Sequence, residues 1–473
     1  MLRPWDLKIA LDRAAPLSVQ AQIVHAITRE IHRGRLRPGT ALPGSRELAA
    51  TLGVNRKTVV LAYDELVAQG WLVAQGKRGT FVSPTLPPLP PAADARPPPR
   101  PAEPPPPARD SIDFKDGVPD SRLIRFGDLS RAFRHALLGM RGNRLGYADP
   151  RGTPPLRRAL AAMLAMERGL AVDEDSLCVV RGSQMGIFLA ARLLLRPGDV
   201  VVTERLSYPP ARAVFRSCGA QVLSVDTDCD GLCTDQLAAL CRSHGVRAVY
   251  VTPHHHYPTT VMMTAERRLN LLRLAERHGF AIIEDDYDHE FHYTGTPVMP
   301  LASLDRGGRV VYVGSLSKVL APGLRVGYLA AAPDLVDRCA ADITLIDRQG
   351  DTVTEMAVAE LLSGGEIRRH VCRALKVYAE RRALLDRLLR RHLGGHLTFA
   401  PPEGGLAFWA RVIGPLHAAE IAARAAAAGV GLLPGGHFAD DGVPVEAFRL
   451  GFGNLDCDEI ATGIDRLRRA LEG

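Results

Sequence analysis

Between Pro84 and Arg109, thirteen of twenty-six residues are proline, and few of the others are apolar. Proline fixes φ and removes a backbone donor, so neither a helix nor a sheet ladder can run through such a stretch. An extended polyproline-like spacer is expected, reaching on the order of 80 Å at about 3.1 Å per residue. The chain therefore has to fold as separate pieces, 1–83 before the spacer, 84–111 as linker and 112–473 after it. At 473 residues more than one core is expected in any case. With such a tether, the first piece need not pack on the second.

The two pieces differ in charge. Residues 1–84 hold 12 Lys/Arg against 6 Asp/Glu, a net of +6, while the whole chain is only +7. A basic excess confined to one sixth of the chain points to a polyanion partner for that segment alone. Val19, Ile23, Ile27 and Ile31 repeat every fourth residue between Leu17 and Gly34, which predicts one buried helix face. Ser45 is expected to N-cap a short helix from Arg46 to Leu52, closed by Gly53. Asn55 is expected to cap a third helix running to about Gln69. Trp71–Ala74 and Thr80–Val82 then read as a basic hairpin around Gly76-Lys77-Arg78-Gly79. Helix, helix, turn, helix and hairpin is the layout of a winged helix-turn-helix.

The segments Pro38 to Ala49 (PGTALPGSRELA), Leu52 to Val59 (LGVNRKTV), Gly70-Trp71-Leu72 and Gly79 to Val82 (GTFV) carry this further. Together they resemble the GntR-type DNA-binding domain over roughly residues 16–83. That resemblance implies that Arg46, Asn55, Arg56 and Thr58 face double-stranded DNA and that Gly79, in the wing, approaches its backbone. Cations, hydroxyls and amides at a helix start suit phosphates and base edges.

From about Ile112 the composition becomes that of a large α/β domain. Apolar runs at Leu177–Val180, Val200–Thr203, Gln221–Val225, Ala248–Thr252, Ala281–Glu284 and Val310–Val313 alternate with amphipathic stretches. Alternation of this kind predicts a mainly parallel sheet flanked by helices. A helix-rich part beginning near Ala331, with a long amphipathic stretch over Glu366–His392, leads into a smaller α+β tail. No apolar run reaches membrane-spanning length and no charged-then-apolar leader opens the chain, so a cytosolic protein is expected. Eight cysteines in so long a chain are no disulfide framework. Cys229, Cys233 and Cys241 match no usual zinc spacing, and no metal site is assigned.

The last apolar run breaks into Gly314-Ser315-Leu316-Ser317-Lys318, with Arg325 seven residues later behind Pro322-Gly323. A lysine at a strand end inside a packed domain loses its proton more readily than one in water and can form a Schiff base with an aldehyde. Ser315, Ser317 and Arg325 are residue types found around phosphate. Lysine beside a phosphate cradle suggests pyridoxal 5′-phosphate (PLP), although a surface lysine in a βα loop fits the local sequence equally well. Ala281 to Asp288 (AIIEDDYD) runs from a buried strand into an acidic cluster. Its carboxylates suit a metal, with His289 and Glu290, or one of them can pair with a protonated ring nitrogen. Lys318 favours the second choice, which leaves most of the remaining acids as loop charges. Gly182-Ser183-Gln184 follows the strand Leu177–Val180 and opens a helix, a geometry that binds phosphate. Tyr208 follows the next strand, where its ring can lie flat against another.

Together with Tyr147 to Gly152 (YADPRG) and Thr252-Pro253-His254-His255, these motifs resemble a fold-type I aminotransferase domain over roughly 112–470. The resemblance implies that Lys318 forms the Schiff base with PLP and that Asp285 pairs with the pyridine nitrogen. Tyr287 would bond the ring hydroxyl and Tyr208 would stack on the ring. Ser183, Gln184, Ser315 and Arg325 would hold the phosphate, and Arg449 would take a carboxylate of a small amino compound. A GntR-type reader joined by a long linker to such a domain resembles the MocR family of transcription regulators. That resemblance implies a homodimer sensing an amino compound or PLP itself; a catalytically active aminotransferase with an accessory DNA-binding domain is the alternative. Three departures stand out. His254-His255-His256 replaces the family's usual Ser-His-Gln, Thr260 stands where glycine is common, and Ala407 where histidine is frequent. All three are expected near the effector pocket.

Overall fold

A computed structural model of the chain describes residues 9–86, 111–115, 117–140, 146–293 and 298–472. Nearly all of the proline-rich linker lies outside these residues. The chain forms two compact units, Met1–Pro105 and Pro106–Gly473.

In the first unit, α1 (Val19–His32), α2 (Ser45–Leu52) and α3 (Arg56–Ala68) precede a two-stranded hairpin of β1 (Leu72–Ala74) and β2 (Thr80–Val82). The four-residue repeat of α1 buries Ile23, Ile27 and Ile31 against Val59, Ala62 and Leu66 of α3. Ile27 and Leu66 are fully buried. Side chains of this size are worth about 1.5–3 kcal/mol each, so Ile27→Ala would cost several kcal/mol. Ser18 caps α1 by accepting from the Ala21 N–H at 3.2 Å. Ser45 is not the N-cap of α2: it is the first helical residue, Gly44 occupies the cap position, and no side chain bonds there. Gly53, at φ 63°, supplies the left-handed turn that ends α2.

The second unit opens with β3 (Ile112–Asp113), then α4 (Phe126–Gly139) and α5 (Pro154–Arg168). Its main sheet uses β4 (Leu177–Val180), β5 (Val200–Glu204) and β6 (Gln221–Val225). After a short hairpin of β7 (Thr227–Asp228) and β8 (Gly231–Leu232), it continues with β9 (Val246–Val251), β10 (Ala281–Asp286), β11 (Val310–Ser315) and β12 (Gly327–Ala330). The seven strands run in the order β4-β12-β11-β10-β9-β5-β6, all parallel except β12, which is antiparallel to both neighbours. Continuous apolar strands such as β4 and β5 require cover on both faces. One face carries α6 (Ser183–Leu194) with the helices Pro209–Ser217 and Pro333–Ile346; the other carries α5 and the helix Ala265–His278.

The long helix Glu366–Leu393 leads to a four-stranded sheet of β13 (Leu397–Phe399), β14 (Ala407–Val412), β17 (Ala447–Gly451) and β16 (Leu433–Pro434), in that order. Leu385, Leu389, Phe408, Phe448, Leu450 and Ile464 share one core there. β15 (Val430–Gly431) pairs with β3, so the chain segment just after the linker is built into this C-terminal part.

Candidate functional site

Asp285 lies near the end of β10, and its register partner Val313 lies two residues before the end of β11. Beyond β11, Lys318 sits half-buried in a turn and donates from Nζ to the Gly117 carbonyl at 2.9 Å. Asp285 is 4% exposed, and Tyr250 of β9 donates to its Oδ2 at 2.8 Å, while Oδ1 is buried with no hydrogen-bond partner. Burial raises this carboxyl to about 7, against the Tyr250 hydrogen bond and with help from Asp286 and Asp288.

The anion-binding candidates converge at the same end of the sheet. Gly182, at φ 77°, is the N-cap of α6, which no side chain caps; Ser183 and Gln184 form its first turn. The backbone of Gly327 lies so close to Gly182 that a Cβ would fall 2.7 Å from the Gly182 carbonyl carbon. Ser315 pairs in register with Gly327, and its hydroxyl accepts from the Ser317 N–H at 3.1 Å. Arg325, held at φ 52°, lays its guanidinium against Gly182 and donates to the Arg181 carbonyl at 2.8 Å. Gln184 Oε1 and Ser317 Oγ are buried without partners. An uncapped helix start, an adjacent guanidinium, two spare polar oxygens and the spare Asp285 oxygen make a donor and acceptor set that fits PLP.

The remaining predicted residues line an aromatic wall. Tyr208, Tyr287 and Phe438 each meet Tyr257 edge-on, at ring separations of 5.4, 5.9 and 5.4 Å. Arg449 of β17 is 2% exposed, lies 4.6 Å over the Tyr257 ring and donates to the Pro258 carbonyl at 2.9 Å. The Tyr287 hydroxyl donates to the His255 carbonyl at 3.0 Å. Tyr250 and Tyr257 were not singled out from the sequence. Tyr250 pairs in register with Ile283 and so shares a face with Asp285, which only the assembled sheet reveals.

The expectation that most of the other acids in this run are loop charges is wrong: Glu284 and Asp286 belong to β10 itself. Glu284 is fully buried and accepts from the Leu301 and Ala302 N–H groups at 2.8 and 2.9 Å. Asp286 accepts from the Tyr312 hydroxyl at 2.6 Å and faces Arg168 and His289, which hold it well below the usual carboxylate range against the effect of burial. Arg168 also pairs with Glu290. Asp288 binds His255 Nδ1 at 2.8 Å. These groups read as loop charges because, His289 aside, their partners lie far away in sequence.

The three departures are local to this region. Thr260 takes φ 63°, a conformation that a β-branched residue rarely adopts, and its N–H donates to the His256 carbonyl. Ala407 is fully buried, 3.5 Å from where a Cβ on Gly117 would lie. His254 stacks on His289 with ring centres 4.4 Å apart and meets His292 at Nε2, 2.5 Å away. Burial, followed by the neighbouring His255 and His289, pushes His292 down to about 4.

In the first unit Arg46, Asn55, Arg56 and Gly79 are exposed and Thr58 is half-buried at the start of α3. The Asn55 side chain caps α3 by accepting from the Lys57 N–H at 2.8 Å. Gly79 has φ 107° and ψ −164°, which glycine alone adopts readily. Among the described residues, Arg46, Arg56, Lys57, Lys77 and Arg78 form no ion pair with any acid, so these exposed cations are available to a polyanion.

The family described as aminotransferase class I and II matches residues 112–467, and the family of bacterial regulatory proteins of the gntR type matches residues 19–82. The probable rhizopine catabolism regulatory protein MocR of Rhizobium meliloti is 30% identical over 478 residues, covering 98% of this chain and 96% of its own. The HTH-type transcriptional regulator TauR of Rhodobacter capsulatus is 36% identical over 476 residues, covering 96% of each. Among solved structures, the α-aminoadipate aminotransferase LysN of Thermus thermophilus, complexed with N-(5′-phosphopyridoxyl)-L-leucine, is similar at TM-score 0.72 and 28% identity, over 77% of this chain and 93% of that one. The fold and this PLP-derived neighbour imply a PLP-type domain. With a winged helix-turn-helix ahead of an aminotransferase fold, matched along nearly its whole length by MocR and TauR, the chain belongs to the MocR family of HTH-type transcriptional regulators.

Proposed function

We propose that this protein regulates transcription by binding DNA through α2, α3 and the β1–β2 wing while a PLP-dependent site in the second unit senses a small amino compound or PLP. The observation that carries the cofactor assignment is the spare buried Oδ1 of Asp285, whose other oxygen is held by Tyr250. A buried carboxylate with one open oxygen is suited to a protonated ring nitrogen. When bound, PLP supplies an aldehyde that reacts reversibly with primary amines.

The chain's own residues then divide the work. Lys318 offers the resident amine, already oriented by the Gly117 carbonyl. Ser183, Gln184, Ser315 and Arg325 hold the phosphate end at the start of α6, and Tyr287 takes the ring hydroxyl. Tyr208 covers one ring face. Arg449 takes an effector carboxylate as a bidentate partner. Two chains pair through their aminotransferase-like domains, so two readers address a repeated or palindromic site. An effector changes DNA binding only by its differential affinity for the two states. A cytoplasmic location follows from the gntR-type regulatory family that the first unit matches. None of the described helices is long and apolar enough to cross a membrane.

A purified protein that is yellow and yields a borohydride-trapped adduct, lost in Lys318→Ala, is expected; an unchanged adduct in that variant would refute the assignment. The second reading is a working aminotransferase. It draws on the same lysine and on Arg449, because Lys318 can also move the substrate proton. Multiple turnovers releasing keto acid from an amino-acid panel would favour it over regulation alone.

A further inference from the structure

Adjacent strand residues point to opposite faces, so Asp286 and its neighbours form a cluster distinct from Asp285 and Lys318. Four imidazoles gather there. His254 meets His255, His289 and His292 at ring separations of 4.7, 4.4 and 4.5 Å. One nitrogen each from His254, His255 and His292 lies within 4.8 Å of the other two.

We propose that His254, His255 and His292 form a binding site for a late first-row divalent cation, zinc in the first instance. His255 is 1% exposed; its Nδ1 is bonded to Asp288 Oδ1 at 2.8 Å, and its Nε2 is buried with no partner. A carboxylate on one imidazole nitrogen with the other nitrogen spare is the arrangement that orients a metal-ligating histidine. His254 Nε2 and His292 Nε2 are 2.5 Å apart. Ring nitrogens this close share a proton, which a cation entering between them would displace. Tetrahedral zinc, with Zn–N near ~2.0–2.1 Å, needs them about 3.3 Å apart, a small opening of the pair.

The surroundings are shaped to match. Gly404 pairs with His292 across an isolated bridge, and a Cβ there would collide with the His255 ring. A Cβ on Gly405 would fall 2.7 Å from Asp288 Oδ2. Two glycines thus let the backbone close over the ligands. A cleft of about 630 Å³, lined by Met163, Glu167, His289 and Glu290 among others, reaches the His289 ring that stacks on His254. Three imidazoles suit zinc, cobalt, nickel or copper and not the oxygen-seeking magnesium or calcium. A fourth tetrahedral position is left for water or a ligand atom. Because the His255 carbonyl accepts from Tyr287, filling the site also stiffens the segment that positions Tyr287.

The test uses the full chain, stripped with a chelator and titrated with Co²⁺ and then Zn²⁺. One Co²⁺ per chain is expected, with visible bands of tetrahedral nitrogen ligation, displaced by Zn²⁺. Zn²⁺ should also raise the melting temperature of the stripped wild type. Affinity should fall at least about 100-fold in a His254→Ser, His292→Gln double variant and about 10–100-fold in Asp288→Asn. Absence of stoichiometric binding by the wild type overturns the proposal, and so does unchanged affinity in the double variant. X-ray absorption of the zinc-loaded wild type needs no variant to fold. Imidazole scatterers are expected; sulfur in the shell would assign the metal to the exposed Asp228-Cys229-Asp230 group instead and overturn the site.

Discussion

Replacing Asp285 by asparagine should separate the stability of the second unit from its affinity for PLP. In the folded protein, burial raises this carboxyl from 3.8 to about 7. An acid whose folded pKa lies above its unfolded one binds more protons when folded. The wild type therefore keeps full stability from this group below about pH 4 and loses it as pH rises through 7. At about 1.36 kcal/mol per pH unit, the loss has a ceiling on the order of 4 kcal/mol above pH 7. Asparagine keeps an acceptor for the Tyr250 hydroxyl but carries no charge, so its stability should not vary with pH through this group. Urea unfolding of cofactor-stripped protein, followed by near-ultraviolet circular dichroism between pH 4 and 8.5, should give similar midpoints at the acid end. Above pH 7 the variant should be the more stable. Cofactor affinity should move the other way: losing a charge-assisted hydrogen bond to the ring nitrogen costs about 1.5–3 kcal/mol, or roughly 10–150-fold in Kd. A stability difference that is flat with pH would show that Asp285 does not titrate with folding, and PLP binding equal to wild type would exclude it as the partner of the ring nitrogen.

Other perturbations address other parts of the account. Thr260→Gly should relieve the left-handed strain at φ 63° and raise stability by about 1 kcal/mol, read as a higher urea midpoint; a lower midpoint would show that the threonine is not strained. Arg56→Ala should weaken binding to the protein's own promoter region and lower the salt dependence by about one counterion; unchanged binding would exclude α3 as the reader. Arg449→Gln should leave PLP binding intact while weakening a carboxylate-bearing effector on the order of 10–100-fold, measured by the shift in cofactor absorbance. An equal loss of PLP itself would instead make Arg449 structural.

What was legible in the sequence was local or periodic. The Ile23–Ile27–Ile31 repeat marked the buried face of α1, and Asn55 marked the start of α3, because a helix face and a cap are short-range facts. The apolar runs located β4, β6 and β11 closely. β12 escaped because four residues behind a Pro-Gly turn carry no alternation, and only its antiparallel fit between β11 and β4 makes Gly327–Ala330 a strand. Ser45 looked like a cap because serine often is one, but the chain enters the helix one residue earlier. At the site, Lys318 and Asp285 stood out by residue type at strand ends. Tyr250, Tyr257 and the partnership of His255 with Asp288 did not, since each depends on strands and turns brought together only by the fold.

The cofactor site is proposed to govern the reading head. The most direct measurement is the affinity of the full-length protein for its promoter fragment at fixed salt, with and without PLP, for wild type and Lys318→Ala. PLP should shift the wild-type affinity and leave the variant unmoved. Identical affinities for the wild type with and without PLP, and again on adding amino compounds, would contradict it.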